Sequence, residues 1–247
     1  MNVGIKRAAP RQKVDWVSRM ITAPQTRAPA LIFYGSPGVG KTSMANAFPN
    51  PVFFDFDRGL GTLKTSGLTS MDTPVLPGAR SFTQLIEMID SLARDEHDRK
   101  TLVIDTMQGA EQLCHDHVCD REYGGDYGEK GFTSFQRGYK IALPDWKRFL
   151  EALDSCRDIG MTVILLGHAV IAPFKNPIDA DYDRYVPDLH AKTWAVTSRW
   201  ADMICFMDYY VVVEDDGSRK KGRGGNERVM HFENSAAYDS KNRYGLP

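Results

Sequence analysis

The stretch Gly35-Ser36-Pro37-Gly38-Val39-Gly40-Lys41-Thr42 fits G-x-x-x-x-G-K-[ST] without a mismatch, and no other feature constrains the fold of this chain as tightly. The pattern requires a strand before it and a helix after it. Ala30-Leu31-Ile32-Phe33-Tyr34 reads as a short buried strand, and Thr42 to Phe48 reads as the helix. Phosphate chemistry explains the residue types: glycines let successive backbone N–H groups turn inward with no Cβ in the way, and a helix start adds the positive end of its dipole. Gly35, Ser36, Pro37, Gly38, Val39, Gly40, Lys41, Thr42 and Ser43 are therefore the predicted cradle for ATP, with Pro37 stiffening it. Lys41 is expected near the surface of the empty site, from which it reaches the β- and γ-phosphates, and Thr42 is expected to hold Mg²⁺ through its hydroxyl.

With 42% hydrophobic side chains in 247 residues, the chain can bury one sizeable core, which predicts a single α/β domain over residues 30–247. Residues 1–29 read as a basic arm, with Lys6, Arg7 and Arg11, leading into a short amphipathic helix that carries Val14, Trp16, Val17 and Met20. A net charge of -1 excludes a chain-wide electrostatic footprint for nucleic acid, so any such contact must come from local patches. Four cysteines, no signal-peptide pattern and no apolar run of membrane-spanning length predict free thiols, a cytoplasmic location and no membrane partner.

Pro51 to Asp57 is an apolar run ending in carboxylates and reads as a second core strand whose end lies beside the phosphates. Residues 58–80 read as a long loop, and Leu85, Ile86, Ile89 and Leu92 mark an amphipathic helix. Thr101-Leu102-Val103-Ile104-Asp105 has the Walker B pattern, a hydrophobic strand ending in an Asp that serves Mg²⁺. The helix after it contains Cys114, His115, His117 and Cys119, but four ligands on one helix cannot surround a tetrahedral ion, so no zinc site is assigned.

Residues 122–140 read as a mobile glycine loop whose aromatics, Tyr127 and Phe132 among them, can stack on single-stranded bases. A fourth strand, Met161 to Leu166, ends in Gly167-His168, and residues 169–190 read as a loop carrying Lys175, Arg184 and His190. A His at that strand end can sense the γ-phosphate. Ala191 to Arg199 reads as a helix, and Met203 to Val213 and Val229 to Phe232 as the arms of a C-terminal β-hairpin with a basic tip, Arg219, Lys220, Lys221 and Arg223.

From about Ala30 to Pro247 these residues resemble the RecA-like ATPases, most closely the phage ATP-binding proteins loosely filed as AAA domains, which include Sak-type single-strand annealing proteins. The resemblance implies a RecA-like P-loop NTPase fold with a mainly parallel central sheet flanked by helices. In RecA-like proteins the residue that polarises the attacking water ends the second strand, which places Asp57 in that role where the family usually has Glu. His168 falls at the polar γ-phosphate sensor that leads into a DNA-binding loop, and residues 122–140 fall where the first such loop lies. Lys241-Asn242-Arg243-Tyr244-Gly245 resembles the K-x-R-x-G ending of RecA-like ring ATPases, among them DnaB-type helicases and KaiC, in which the Lys and Arg reach a neighbouring subunit's nucleotide. It thus implies catalytic roles for Lys41, Asp57, Asp105, His168, Lys241 and Arg243 and metal roles for Thr42 and Asp105. The partners implied are single-stranded DNA, further copies of the chain in a ring or filament, and phage recombination or replication proteins in a bacterial host cytoplasm. The rival expectations are a nucleotide switch serving a helicase or annealing partner, favoured by Asp57 in place of Glu, and a KaiC-like signalling ATPase, favoured by the neutral charge.

Overall fold

The computed structural model describes residue 20, residues 26–215 and residues 220–246. The predicted basic arm and its helix lie almost wholly outside these residues, as does Arg219 of the basic tip. In chain order, β1 (Ala30–Gly35) leads through the phosphate loop into α1 (Lys41–Asn46), and β2 (Pro51–Asp55) precedes α2 (Gly59–Thr65) and α3 (Phe82–Arg94). Then come β3 (Thr101–Asp105), α4 (Met107–Tyr123), a 3-10 turn (Ser134–Gln136), α5 (Arg137–Ile141) and α6 (Leu143–Asp158). The chain closes with β4 (Thr162–Phe174), β5 (Tyr182–Pro187), α7 (Ala191–Trp200), β6 (Met203–Asp215), β7 (Lys220–His231) and β8 (Lys241–Asn242).

The sheet runs β2-β3-β4-β1-β6-β7. Every pairing from β2 to β6 is parallel, and β7 returns antiparallel on β6 as the second arm of the hairpin. The expected α/β fold with a mainly parallel sheet, flanking helices and a C-terminal hairpin is the fold the chain adopts. β4 separates β1 from β3, so the strand that delivers the phosphate loop and the strand that delivers Asp105 are one strand apart. The central strands are apolar on both faces because both faces are covered. Ile32 and Tyr34 of β1 pack with Leu85, Ile89, Trp146 and Phe149 of α3 and α6, while Leu31 and Phe33 pack with Ala45 and Leu60 of α1 and α2 on the other side.

Three segments expected to be loops carry more structure. Within residues 58–80, α2 forms because the Asp55 carboxylate accepts from the backbone N–H of Gly59 and of Leu60, 3.0 Å each, and because Leu60 is buried. Glycine and threonine hide this helix from propensity, and tertiary contacts decide it. The segment 169–190 is a two-stranded ribbon: β4 continues past His168 and pairs antiparallel with β5 from Ala169↔Pro187 to Phe174↔Tyr182.

In 122–140, Phe132 is fully buried, its ring centroid 4.9 Å from Tyr139, 5.1 Å from Tyr127, 5.3 Å from His115 and 5.9 Å from Tyr123. Phe132 anchors this segment to α4 and is not a base-stacking ring. Tyr127 is 38% exposed, with its hydroxyl donating to Asp116, and the most exposed aromatic of the segment is Phe135, at 91%, held at φ 46.

The packing against His115 has a consequence for stability. Burial pushes its imidazole pKa down to about 4, with nearby His190 acting in the same direction and Asp116 opposing. Glu111 lies one turn earlier, 3.9 Å away, but its own carboxyl is raised by burial, and its oxygens accept from the His190 N–H. The fold therefore holds a neutral imidazole that the unfolded chain protonates near 6.5. This contribution, about 3 kcal/mol in full, is present above pH 6.5 and is lost as pH falls towards 4. His190 and His231 are also lowered by burial and add to the same slope. Urea unfolding from pH 7.5 to 4 should show stability falling less steeply in His115→Leu than in the parent chain; parallel profiles would remove His115 from the account.

Candidate active site

The phosphate loop sits where β1 ends beside β6. A Cβ on Gly35 would stand 1.8 Å from the Met207 carbonyl oxygen, so only glycine lets the loop leave the sheet there. Gly40, at φ 100, turns the chain into α1. The Ser36 hydroxyl donates to Asp208 Oδ1 at 2.8 Å and moors the loop on β6.

Lys41 does not lie near the surface. It is 7% exposed, and its Nζ donates to the carbonyls of Gly35 and Ser36, 3.0 Å each. Burial lowers its pKa, opposed by the charges of Asp105 and Asp57. The loop's own carbonyls satisfy the buried cation.

Thr42 Oγ1 donates to Asp105 Oδ2 at 2.7 Å, joining the start of α1 to the end of β3. Burial raises the Asp105 carboxyl to about 6; Asp55 and Asp57 push the same way, while the Thr42 hydrogen bond and Lys41 oppose. A carboxylate so placed gains from a cation. A hydroxyl and a carboxylate side by side are hard oxygen donors suited to Mg²⁺, which characteristically takes one or two protein oxygens and fills its remaining positions with phosphate and water. The donor chemistry of the Thr42–Asp105 pair therefore fits Mg²⁺.

Asp57 and Asp55 part company in the structure. Asp55 is committed to the first turn of α2, whereas Asp57 is half-exposed, with Oδ2 3.2 Å from His168 Nε2 and Oδ1 3.5 Å from the Thr106 hydroxyl. His168 is the last β4 residue in register with β1, opposite Gly35, and its carbonyl accepts from the Gln108 side chain. Its Nδ1 is buried and has no hydrogen-bond partner.

Lys41, Thr42, Asp57, Asp105 and His168 all line one cavity of about 480 Å³, within the usual range of ligand pockets. Thr62, Leu63 and Leu68 form an apolar wall and Arg228 of β7 a basic one. No sequence pattern pointed to these four. Leu63 belongs to a helix hidden by its glycines, and Arg228 becomes visible only through the hairpin register that sets it opposite Tyr209.

Lys241 and Arg243 are elsewhere. β8 pairs with Met203 and Ile204 at the start of β6, the end of the sheet remote from the phosphate loop. Lys241 Nζ donates to the carbonyls of Ser198, Arg199 and Ala201 at the C-terminus of α7, and Arg243 Nη1 donates to Asp202 at 2.9 Å. The buried thiols of Cys114 and Cys119 face the core, not a ligand site.

The AAA domain family matches residues 27–244, nearly the whole described chain. The chain belongs to the AAA domain family. A search of curated proteins finds no match. Among solved structures the AAA domain is similar to the RadB recombinase, with a TM-score of 0.45 and 14% identity over 83% of this chain and 87% of that one. Among the described residues of the domain, no helix is long and apolar enough to cross a membrane.

Proposed function

We propose that this AAA domain binds ATP with Mg²⁺, hydrolyses it, and couples the hydrolysis to single-stranded DNA in recombination or annealing. The observation that carries the reading is the convergence of Lys41, the Thr42–Asp105 pair and the Asp57–His168 pair in one cavity. Lys41 exchanges the two loop carbonyls for β- and γ-phosphate oxygens and offsets the charge that spreads over the γ-phosphoryl group in the transition state. Thr42 and Asp105 are the residues that would hold Mg²⁺, which when bound supplies positive charge to the same oxygens. Asp57 orients the attacking water and takes its proton, and His168 holds Asp57 in place. Ser43 and the loop N–H groups from Gly38 onwards position the remaining phosphates.

DNA contact in this reading runs along the β4–β5 ribbon, which starts at His168 and exposes Ile171 and Ile178, and through Phe135. The basic tip, with Lys220, Lys221 and Arg223 in its sequence, adds phosphate contacts. Assembly into a ring or filament, in the cytoplasm of a bacterial host if the chain is phage-encoded, completes the proposal. For Lys241 and Arg243 to serve a neighbour's nucleotide they must first leave the α7 carbonyls and Asp202.

The test is ATP turnover with and without single-stranded DNA, alongside binding at several salt concentrations. Turnover should rise with DNA. Neutralising Lys220, Lys221 and Arg223 should flatten the slope of log affinity against log salt by roughly 0.7 for each DNA phosphate that is no longer paired, whereas Phe135→Ala should weaken binding with the slope unchanged. No DNA binding at low salt would turn the reading towards a nucleotide switch or a signalling ATPase.

A further inference from the structure

We infer that Arg228 is a phosphate-binding arginine that serves the nucleotide of its own chain. The inference rests on the ATP-site reading above and adds to it a residue that the phosphate-loop motif does not contain. β6 is bonded directly to β1, so the base of the β6–β7 hairpin stands beside the loop that β1 delivers. Three hairpin residues meet that loop: Asp208 accepts from Ser36, the Tyr209 hydroxyl lies 3.5 Å from where a Cβ on Gly38 would stand, and Arg228 Nη1 lies 3.0 Å from where a Cβ on Gly40 would stand. The missing side chain at Gly40 thus does two things: it permits the turn at φ 100 and admits the guanidinium to the residue before Lys41.

The charge of Arg228 is uncommitted. Arg121, Arg157, Arg184 and Arg243 each hold a carboxylate, whereas Arg228 makes no ion pair or side-chain hydrogen bond among the described residues. A guanidinium carries five donors in a rigid fork that matches phosphate oxygens, and here it faces the same cavity as Lys41 and Thr42. Lys241 and Arg243, by contrast, are satisfied at the far end of the sheet. The geometry therefore supplies an arginine to the triphosphate within one chain, with no subunit boundary to cross.

The experiment measures ATP binding with a fluorescent ATP analogue and steady-state turnover for the full chain, Arg228→Ala, Arg228→Lys and Lys41→Ala, and also for an equimolar mixture of Arg228→Ala and Lys41→Ala. Arg228→Ala should weaken binding about tenfold and lower turnover on the order of 10³, the lower range for arginines that act on a transferring phosphoryl group. Arg228→Lys should restore binding more than turnover, because a point charge replaces the fork. The mixture should stay inactive, since each site then lacks its own Lys41 or its own Arg228. Turnover regained on mixing would show an arginine acting between subunits and overturn the inference. Binding and turnover of Arg228→Ala equal to the parent's would overturn it while leaving the phosphate-loop reading intact. A parent chain that binds no ATP would overturn both. If Arg228→Ala melts well below the parent, Arg228→Gln, which keeps length and hydrogen bonding without the charge, carries the same comparison.

Discussion

Lys41→Ala is expected to remove tight ATP binding and all measurable turnover while leaving the fold standing. The ammonium is 7% exposed, its pKa is lowered by burial, and its hydrogen bonds go to the two loop carbonyls. Removing it leaves those acceptors short of a donor, at about 1 kcal/mol each, and also removes a desolvated charge, so the two effects offset. Binding has no such offset, because Lys41 is the cation that the motif places on the β- and γ-phosphates. Thermal unfolding separates the two outcomes: the unliganded variant should melt near the parent. Added Mg²⁺ and ATP at 100 times the parental Kd, which should stabilise the parent by about 2.7 kcal/mol, should leave the variant unmoved. Near-normal nucleotide affinity in Lys41→Ala would sink the phosphate-loop assignment.

How much of this was legible depends on whether the signal was local. The phosphate loop was read in full because its chemistry is written in eight consecutive residues, and β1, β2 and β3 because strands buried on both faces are continuous apolar runs. Asp105 followed from its strand. α2 was missed because the carboxylate that caps it and the core that receives Leu60 are tertiary facts acting on a segment of poor helix formers. The β4–β5 ribbon was missed because Pro173 and the asparagine and aspartates of residues 176–183 read as loop; β4 leaves its register with β1 at His168, and beyond it the pairing that keeps the chain extended is the one with β5, which those residues hide. Phe132 was misassigned because composition cannot separate an aromatic that stacks on a ligand from one that anchors its own segment. Arg228 left no trace in the sequence at all. It matters only because a hairpin folds it back over Gly40, nearly 190 residues earlier.

Asp57→Asn is expected to leave ATP binding largely intact and to lower hydrolysis on the order of 10² or more, as loss of a positioned base does. Asp55→Asn should do something different. Its carboxylate accepts from both Gly59 and Leu60, so the substitution should destabilise the fold by about 1 kcal/mol, the usual worth of a helix cap, and leave turnover per folded molecule near the parent's. The opposite assignment, with Asp55→Asn inactive and Asp57→Asn active, would mean that the strand end has been aligned wrongly. His168 touches the reaction only through Asp57, which it meets at 3.2 Å, so its contribution should vanish once Asp57 is gone. His168→Ala alone should therefore slow hydrolysis, and Asp57→Asn combined with His168→Ala should be no slower than Asp57→Asn alone. Additive losses in the double variant would show that His168 acts on the nucleotide directly, as a γ-phosphate sensor. Full activity in all three variants would leave the chain a nucleotide switch whose turnover does not pass through this pair.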